Sequence, residues 1–194
     1  MSALTVSHEP EQSWDDLVRF WEEMDWPEGS KVEIIEGIIT VSPAPAPRHN
    51  FIASRIHRRL YSVLSEDWEV YQTMAIAVPS RLGMFIPDVV VAPVDVTLNS
   101  ESHVPAPLAE LVVEVTSKSN ARHDRVSKPA AYAAAGIPLY LLVDRWAPGG
   151  PTATLYGEPR GDVYRTLSAV KFGEKLRLPA PFDLDLDTGE FPEG

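Results

Sequence analysis

The sequence predicts a single α/β domain: a mixed central β-sheet flanked by helices and followed by a C-terminal β-meander. Three observations carry that prediction. Short Val- and Ile-rich runs alternate along the chain with amphipathic segments of helical period. Residues 139–143 are apolar at every position, as a strand buried on both faces requires. The chain has 194 residues, 44% hydrophobic and 23% charged, enough for one substantial core, and shows no internal repeat and no linker long enough to separate domains.

The elements follow in order. Residues 1–12 read as a flexible or disordered arm and residues 13–192 as the domain. Ser13 is placed to N-cap a helix over residues 14–24, with Asp16 in the reciprocal capping position. Trp14, Leu17, Val18, Trp21 and Met24 share one face of it, a stripe read as core rather than as a base-stacking platform. Residues 31–35 and 38–42 form a hairpin across Glu36-Gly37, with Gly37 supplying a positive φ. Pro43, Pro45 and Pro47 donate no hydrogen bond, so this stretch is an extended connector. Residues 50–65 form a helix with Ile52, Ile56, Leu60, Val63 and Leu64 inward and Arg55, Arg58 and Arg59 outward.

Residues 70–78 alternate as one half-buried strand, residues 81–83 turn, and a strand containing Asp88 follows. Residues 93–107 read as loop, residues 108–116 as the next strand, and residues 117–120 as a polar turn. A helix over about 124–135 ends at Gly136, with Pro129 tolerated in its first turn. After the central strand, residues 153–156, 163–167 and 175–178 make the meander.

Composition bounds the function classes. No apolar run approaches the roughly 20 residues that span a bilayer, and residues 1–10 have neither the basic start nor the apolar core of a secretory signal. Cysteine is absent, which excludes disulfides and thiolate metal sites. A cytoplasmic setting with no membrane partner is the expectation. The net charge of −11 argues at first against a phosphate-rich partner. It is unevenly spread: residues 1–29 hold eight acids and one base, residues 181–194 five acids and no base, and residues 30–180 stand at +1. Arg48, Arg55, Arg58 and Arg59 share an acid-free stretch with His49 and His57. Lys118, Arg122, His123, Arg125 and Lys128 form a second basic cluster, broken by Asp124. Solvated helix faces explain such clusters equally well, so charge alone does not decide for nucleic acid.

Two carboxylates are out of place. Asp88, in Ile86-Pro87-Asp88-Val89-Val90-Val91, and Glu114, in Leu111-Val112-Val113-Glu114-Val115, each sit in a strand otherwise fit for burial. An unpaired buried carboxylate costs several kcal/mol or takes up a proton, and a second one nearby worsens matters unless a cation lies between them. If the two strands are neighbours, both side chains reach one Mg²⁺ or Mn²⁺, with the backbone carbonyl of Val115 and waters to complete the set. Such a cation activates water and offsets charge on a phosphate. A lysine would assist. Two residues after Glu114 stands Thr116, so the nearest candidate is Lys128 on the following helix.

Beyond these, Val32-Glu33-Ile34-Ile35-Glu36-Gly37, Ser42-Pro43 with Arg48-His49, Ser117 with Ser119, Asp124-Arg125, Tyr132-Ala133-Ala134-Ala135-Gly136-Ile137-Pro138 and Tyr140-Leu141-Leu142-Val143-Asp144 follow in series. Together they resemble the Uma-type putative restriction endonucleases, a branch of the PD-(D/E)XK nucleases, over about residues 14–192. The resemblance implies a restriction-endonuclease-like fold and a Mg²⁺-dependent endonuclease (Mn²⁺ also serving) acting on DNA. By motif position Asp88 and Glu114 are its metal carboxylates, and Lys128 is the helix-borne lysine standing in for the one missing from E-X-K. Glu33, counted with Asp88, Glu114 and Lys128 among the catalytic residues, and His49 fall at the edge of the site. Many relatives carry an acid after the hairpin glycine where this chain has Ile38, so any accessory acidic role is lost or shifted to Glu36. Arg48, His49, Arg55 and Arg122 are the expected substrate contacts, and cutting two strands would suit a homodimer.

Blander readings stand beside these. A lone Pro-Asp pair is commonly a strand start, Lys128 a solvated helix residue, His49 a local cap, and Glu33 a cross-strand salt-bridge partner. Asp124 could cap its helix or pair with Lys128 or a nearby arginine, and Asp144 could form a turn. The competing function is a catalytically silent PD-(D/E)XK module that binds nucleic acid or a protein. A carboxylate-pair sugar hydrolase fits the Val-rich contexts less well.

Overall fold

The computed structural model describes residues 13–100 and 102–193, so the arm read over residues 1–12 lies outside the described residues. Helix α1 (Trp14–Glu23) begins where expected: the Ser13 hydroxyl accepts the Asp16 N–H at 3.2 Å. Its Leu17, with Trp14, Val18 and Trp21, packs on Ile34, Ala77 and Met84 of the first of the two larger sheets. That sheet runs β2-β1-β5-β4-β7, from β1 (Lys31–Ile35), β2 (Ile38–Ser42), β4 (Ile76–Val78), β5 (Gly83–Phe85) and β7 (Val104–Pro105). The β1–β2 hairpin closes Ile35 on Ile38 across Glu36 and Gly37, whose φ values of 53° and 79° are those of a tight primed turn.

The second sheet has the order β11-β10-β9-β8-β6-β3. It comprises β3 (Trp68–Tyr71), β6 (Val89–Pro93), β8 (Leu111–Val115), β9 (Leu139–Asp144), β10 (Thr152–Arg160) and β11 (Val163–Lys171). Only β8 and β9 are parallel in this sheet. One face packs Val89, Val91, Val113 and Val143 against helix α2 (Pro47–Tyr61) and the hairpin of β12 (Lys175–Leu178) and β13 (Leu184–Asp187). The opposite face packs Val90, Val112, Tyr140 and Leu142 against the first sheet's Ile35, Ile76 and Phe85 and helix α4 (Lys128–Ala134). The fold is therefore mixed α/β, with a second sheet filling a share of one helical layer.

Four details differ from the sequence expectations. Residues 70–78 do not make one strand: Thr73 takes a φ of 61°, and β3 and β4 belong to different sheets. The helix predicted over 50–65 starts at Pro47, whose missing N–H costs nothing in a first turn, and ends at Tyr61. Residues 93–107 include helix α3 (Val94–Leu98). The first two meander strands extend the main sheet as β10 and β11, leaving β12 and β13 as the separate hairpin. No described helix is long and apolar enough to cross a membrane.

Candidate active site

Chain direction places the two suspect carboxylates side by side. The Asp88 N–H donates to the Val113 carbonyl at 3.1 Å, just before β6, and β6 pairs with β8 in antiparallel register. Asp88 therefore shares the face of Val90, and Glu114 that of Val112, both turned toward the space between the sheets. From the opposite wall, β1 alternation aims Lys31 and Glu33 into the same space, on the side of Ile35. A five-residue π turn, His123–Ser127, leads into α4 and brings Asp124, Lys128 and Tyr132 onto one face at four-residue steps. The helix is anchored at its end by Gly136 (φ 77°): its N–H bonds Ala133 and that of Ile137 bonds Tyr132, closing a Schellman motif.

These side chains form one buried ionic cluster. The Lys128 ammonium lies 2.9 Å from Glu114 Oε1, 3.0 Å from Glu33 Oε1 and 3.3 Å from Asp124 Oδ1. The Tyr132 hydroxyl donates to Glu114 Oε1 at 2.8 Å, and the Ile86 N–H to Glu33 Oε1 at 2.8 Å. Asp88 Oδ2 accepts the Val115 N–H at 2.7 Å and has His49 Nε2 at 3.0 Å, without an aligned hydrogen bond from the ring. The remaining oxygens, Asp88 Oδ1 and Glu114 Oε2, flank Lys31 Nζ at 3.5 and 3.8 Å. Glu33 Oε1 stands 4.0 Å from the same ammonium.

The charges do not balance. Four carboxylates (Glu33, Asp88, Glu114 and Asp124) share two ammonium groups, leaving an excess of negative charge in a dry interior. Glu114 absorbs it. Burial, opposed by Lys128 and Lys31 but reinforced by Asp124 and Asp88, pushes its carboxyl up to about 8. Asp124 is also raised, by burial first. Burial works against ionised Asp88 too, but Lys31, His49 and the Val115 N–H outweigh it and hold that carboxyl well below the usual range. Burial would strip the proton from Lys128, yet Glu114, Glu33 and Asp124 keep it firmly charged.

A cleft of about 220 Å³ opens onto this cluster. Lys31, His49 and Asp88 lie on its wall with Ser42, Ser117 and Asn120, and Asn120 Nδ2 donates to Ser42 Oγ at 3.0 Å. Larger hollows lie elsewhere, one of about 550 Å³ between α2 and residues 189–192. It holds none of the clustered acids, whereas the smaller cleft is walled by Lys31, His49 and Asp88, so the smaller cleft is the candidate site.

A family model described as "Putative restriction endonuclease", Uma2, matches residues 19–189. The chain belongs to the Uma2 family. Its fold matches the crystal structure of a putative nuclease belonging to DUF820 from Anabaena variabilis, with a TM-score of 0.67 and 16% identity. The match covers 92% of this chain and 96% of that one, and at this identity it speaks for the fold alone. The comparison with curated proteins gives no match.

In this Uma2 chain the structure brings Asp88, Glu114, Lys128, Glu33 and His49 together, with Val115 joining through its N–H. The expected substrate arginines stand apart from the cluster. Arg48, beside His49, is exposed and donates to the Glu193 carbonyl at 3.3 Å. Arg55 lies 3.8 Å from Glu190 and over the Phe51 ring, on the stretch of α2 that faces the C-terminal residues. Arg122 is exposed at the start of the π turn. Asp124 pairs with Lys128, and Asp144 with Arg125. Sequence reading missed Lys31 and Tyr132 as site residues. The two-residue step from Lys31 to Glu33 was the signal for the first, and the four-residue step from Lys128 to Tyr132 the signal for the second.

Proposed function

We propose that this protein is a divalent-metal-dependent endonuclease that hydrolyses DNA phosphodiester bonds. One observation carries the reading: buried carboxylates outnumber their cations, and the two unanchored oxygens, Asp88 Oδ1 and Glu114 Oε2, both face one ammonium-sized position. All-oxygen donors in that arrangement fit a hard cation such as Mg²⁺ or Mn²⁺. Asp88 and Glu114 would hold it, with the Val115 carbonyl as a further donor. When bound, the cation supplies Lewis acidity, activating water and offsetting charge that develops on the phosphate.

The chain's own residues prepare that arrangement. The Val115 N–H fixes Asp88 Oδ2, which leaves Oδ1 turned inward. Tyr132 and Lys128 fix Glu114 Oε1, which leaves Oε2 for the same position. Glu33 holds Lys128 from the opposite sheet, tying the two walls of the site together. Lys31 and His49 stand on the cleft wall, where the Lys31 ammonium would offer positive charge to an entering phosphate backbone.

A second reading has its own support. Among the described residues no three His, Asp or Glu side chains are grouped as a metal-ligand set. Each clustered carboxylate also already faces Lys31 or Lys128, which fits a silent module that binds nucleic acid or a protein and uses the ion cluster only for structure. Calorimetric titration with Mn²⁺ separates the two. The wild type is expected to take up metal and Glu114→Gln to lose it. Mg²⁺-dependent cleavage of plasmid DNA is expected to vanish in Asp88→Ala and Glu114→Ala while circular dichroism shows the fold retained. Equal uptake by wild type and Glu114→Gln, or DNA binding without cleavage under any divalent metal, supports the silent module.

A further inference from the structure

The two lysines of the cluster are held very differently. Lys128 is 1% exposed and sits within 3.3 Å of three carboxylates. Its ammonium is saturated and has no path to the cleft. Lys31 is 17% exposed and on the cleft wall, and its three carboxylate contacts are long, between 3.5 and 4.0 Å. Those contacts include the very oxygens left open by the anchoring of Asp88 and Glu114. A flexible four-carbon stem lets such an ammonium withdraw without moving the backbone.

Resting on the metal-dependent reading above, we propose that Lys31 is a built-in stand-in for the divalent cation, which must displace it to bind. In the metal-free protein Lys31 keeps Asp88 and Glu114 from repelling one another. A divalent cation between those oxygens repels the ammonium, and the way out is the cleft lined by Ser42, Ser117 and Asn120. These groups are neutral, so the displaced ammonium is left facing the space where an anionic phosphodiester would lie. Metal uptake and phosphate binding are then coupled, each favouring the other.

The test is Mn²⁺ titration by calorimetry on wild type, Lys31→Met, Lys31→Gln, Lys31→Arg and Glu114→Gln, with circular dichroism on each. Removing a competing unit charge at this separation is expected to tighten Mn²⁺ about tenfold or more in Lys31→Met and Lys31→Gln. Lys31→Arg, which keeps the charge, is expected to stay at or weaker than wild type. A second measurement needs no variant: acetic anhydride labelling of Lys31 in the wild type, read by mass spectrometry, is expected to rise when Mg²⁺ is added. If Glu114→Gln abolishes uptake but the neutral Lys31 variants bind as wild type, or labelling stays flat, the stand-in role is overturned while the metal site survives. If neither the wild type nor the neutral variants bind Mn²⁺, the metal site falls and this role falls with it.

Discussion

Strands β8 and β9 lie parallel and adjacent, and each carries a carboxylate near its C-terminal end: Glu114 on one, Asp144 on the other. Their fates diverge. Asp144 receives two hydrogen bonds from Arg125, at 2.8 and 2.9 Å, one from the Thr116 hydroxyl at 3.1 Å and one from the Trp146 N–H at 3.1 Å. Burial opposes its charge, but these donors prevail and its carboxyl is held below the ordinary value. One acid has one cation and is satisfied. Glu114 shares two ammonium groups with three other acids and is driven up to about 8. The contrast rests on two things together: Glu114 is the more deeply buried acid, and it has no cation to itself, whereas Asp144 has Arg125.

The largest expected departure comes from neutralising each acid in turn. Glu114→Gln should cost metal-dependent cleavage about 10²–10³-fold yet leave thermal stability almost unchanged, because the amide keeps the size of the carboxyl while relieving the excess of negative charge in the cluster. Asp144→Asn should do the reverse, lowering stability by about 1.5–3 kcal/mol, with Mn²⁺ uptake intact. Parallel cleavage assays and thermal melts would show whether the two roles separate.

A smaller effect is expected from pH. The native carboxyl of Glu114 titrates above its unfolded value, so the folded chain binds the extra proton. That contribution is complete below about pH 4.5 and is lost as pH rises toward 8, at no more than about 1.4 kcal/mol per pH unit. For Asp144 the sign is opposite: its depressed value stabilises above the unfolded pKa and fades as pH falls through the native one. Chemical denaturation of metal-free protein between pH 5 and 8 should show the first slope, and Glu114→Gln should flatten it. Smallest is Tyr132→Phe, which removes one buried donor from Glu114 at a cost of about 1 kcal/mol. It should leave Asp144 untouched, as carboxyl chemical shifts would report.

Much of this site is legible in the sequence, for reasons specific to each residue. Asp88 and Glu114 stand out because a charge inside a Val-rich strand demands a partner, and pairing of β6 with β8 supplies the neighbour that such a charge requires. Lys128 follows from the order of motifs rather than from any local pattern. Lys31 escapes notice because a lysine at a strand start is ordinarily solvated, and alternation places it beside Glu33 without saying that this face looks inward. The split of residues 70–78 is hidden for a related reason. Val70 belongs to the core under α2, whereas Met74, Ile76 and Val78 belong to the core between the sheets. Alternation records burial and is blind to which core does the burying.

Thr116, two residues after Glu114, is fully buried. Its hydroxyl bonds Asp144, its oxygen accepts the Arg145 N–H at 3.0 Å, and its own N–H bonds the Val143 carbonyl at 3.0 Å. Placing a lysine there would sever that knot and press a second positive group against the one Arg125 already provides. Thr116 thus works as a joint between β8 and β9, spent wholly on holding the ends of two strands together.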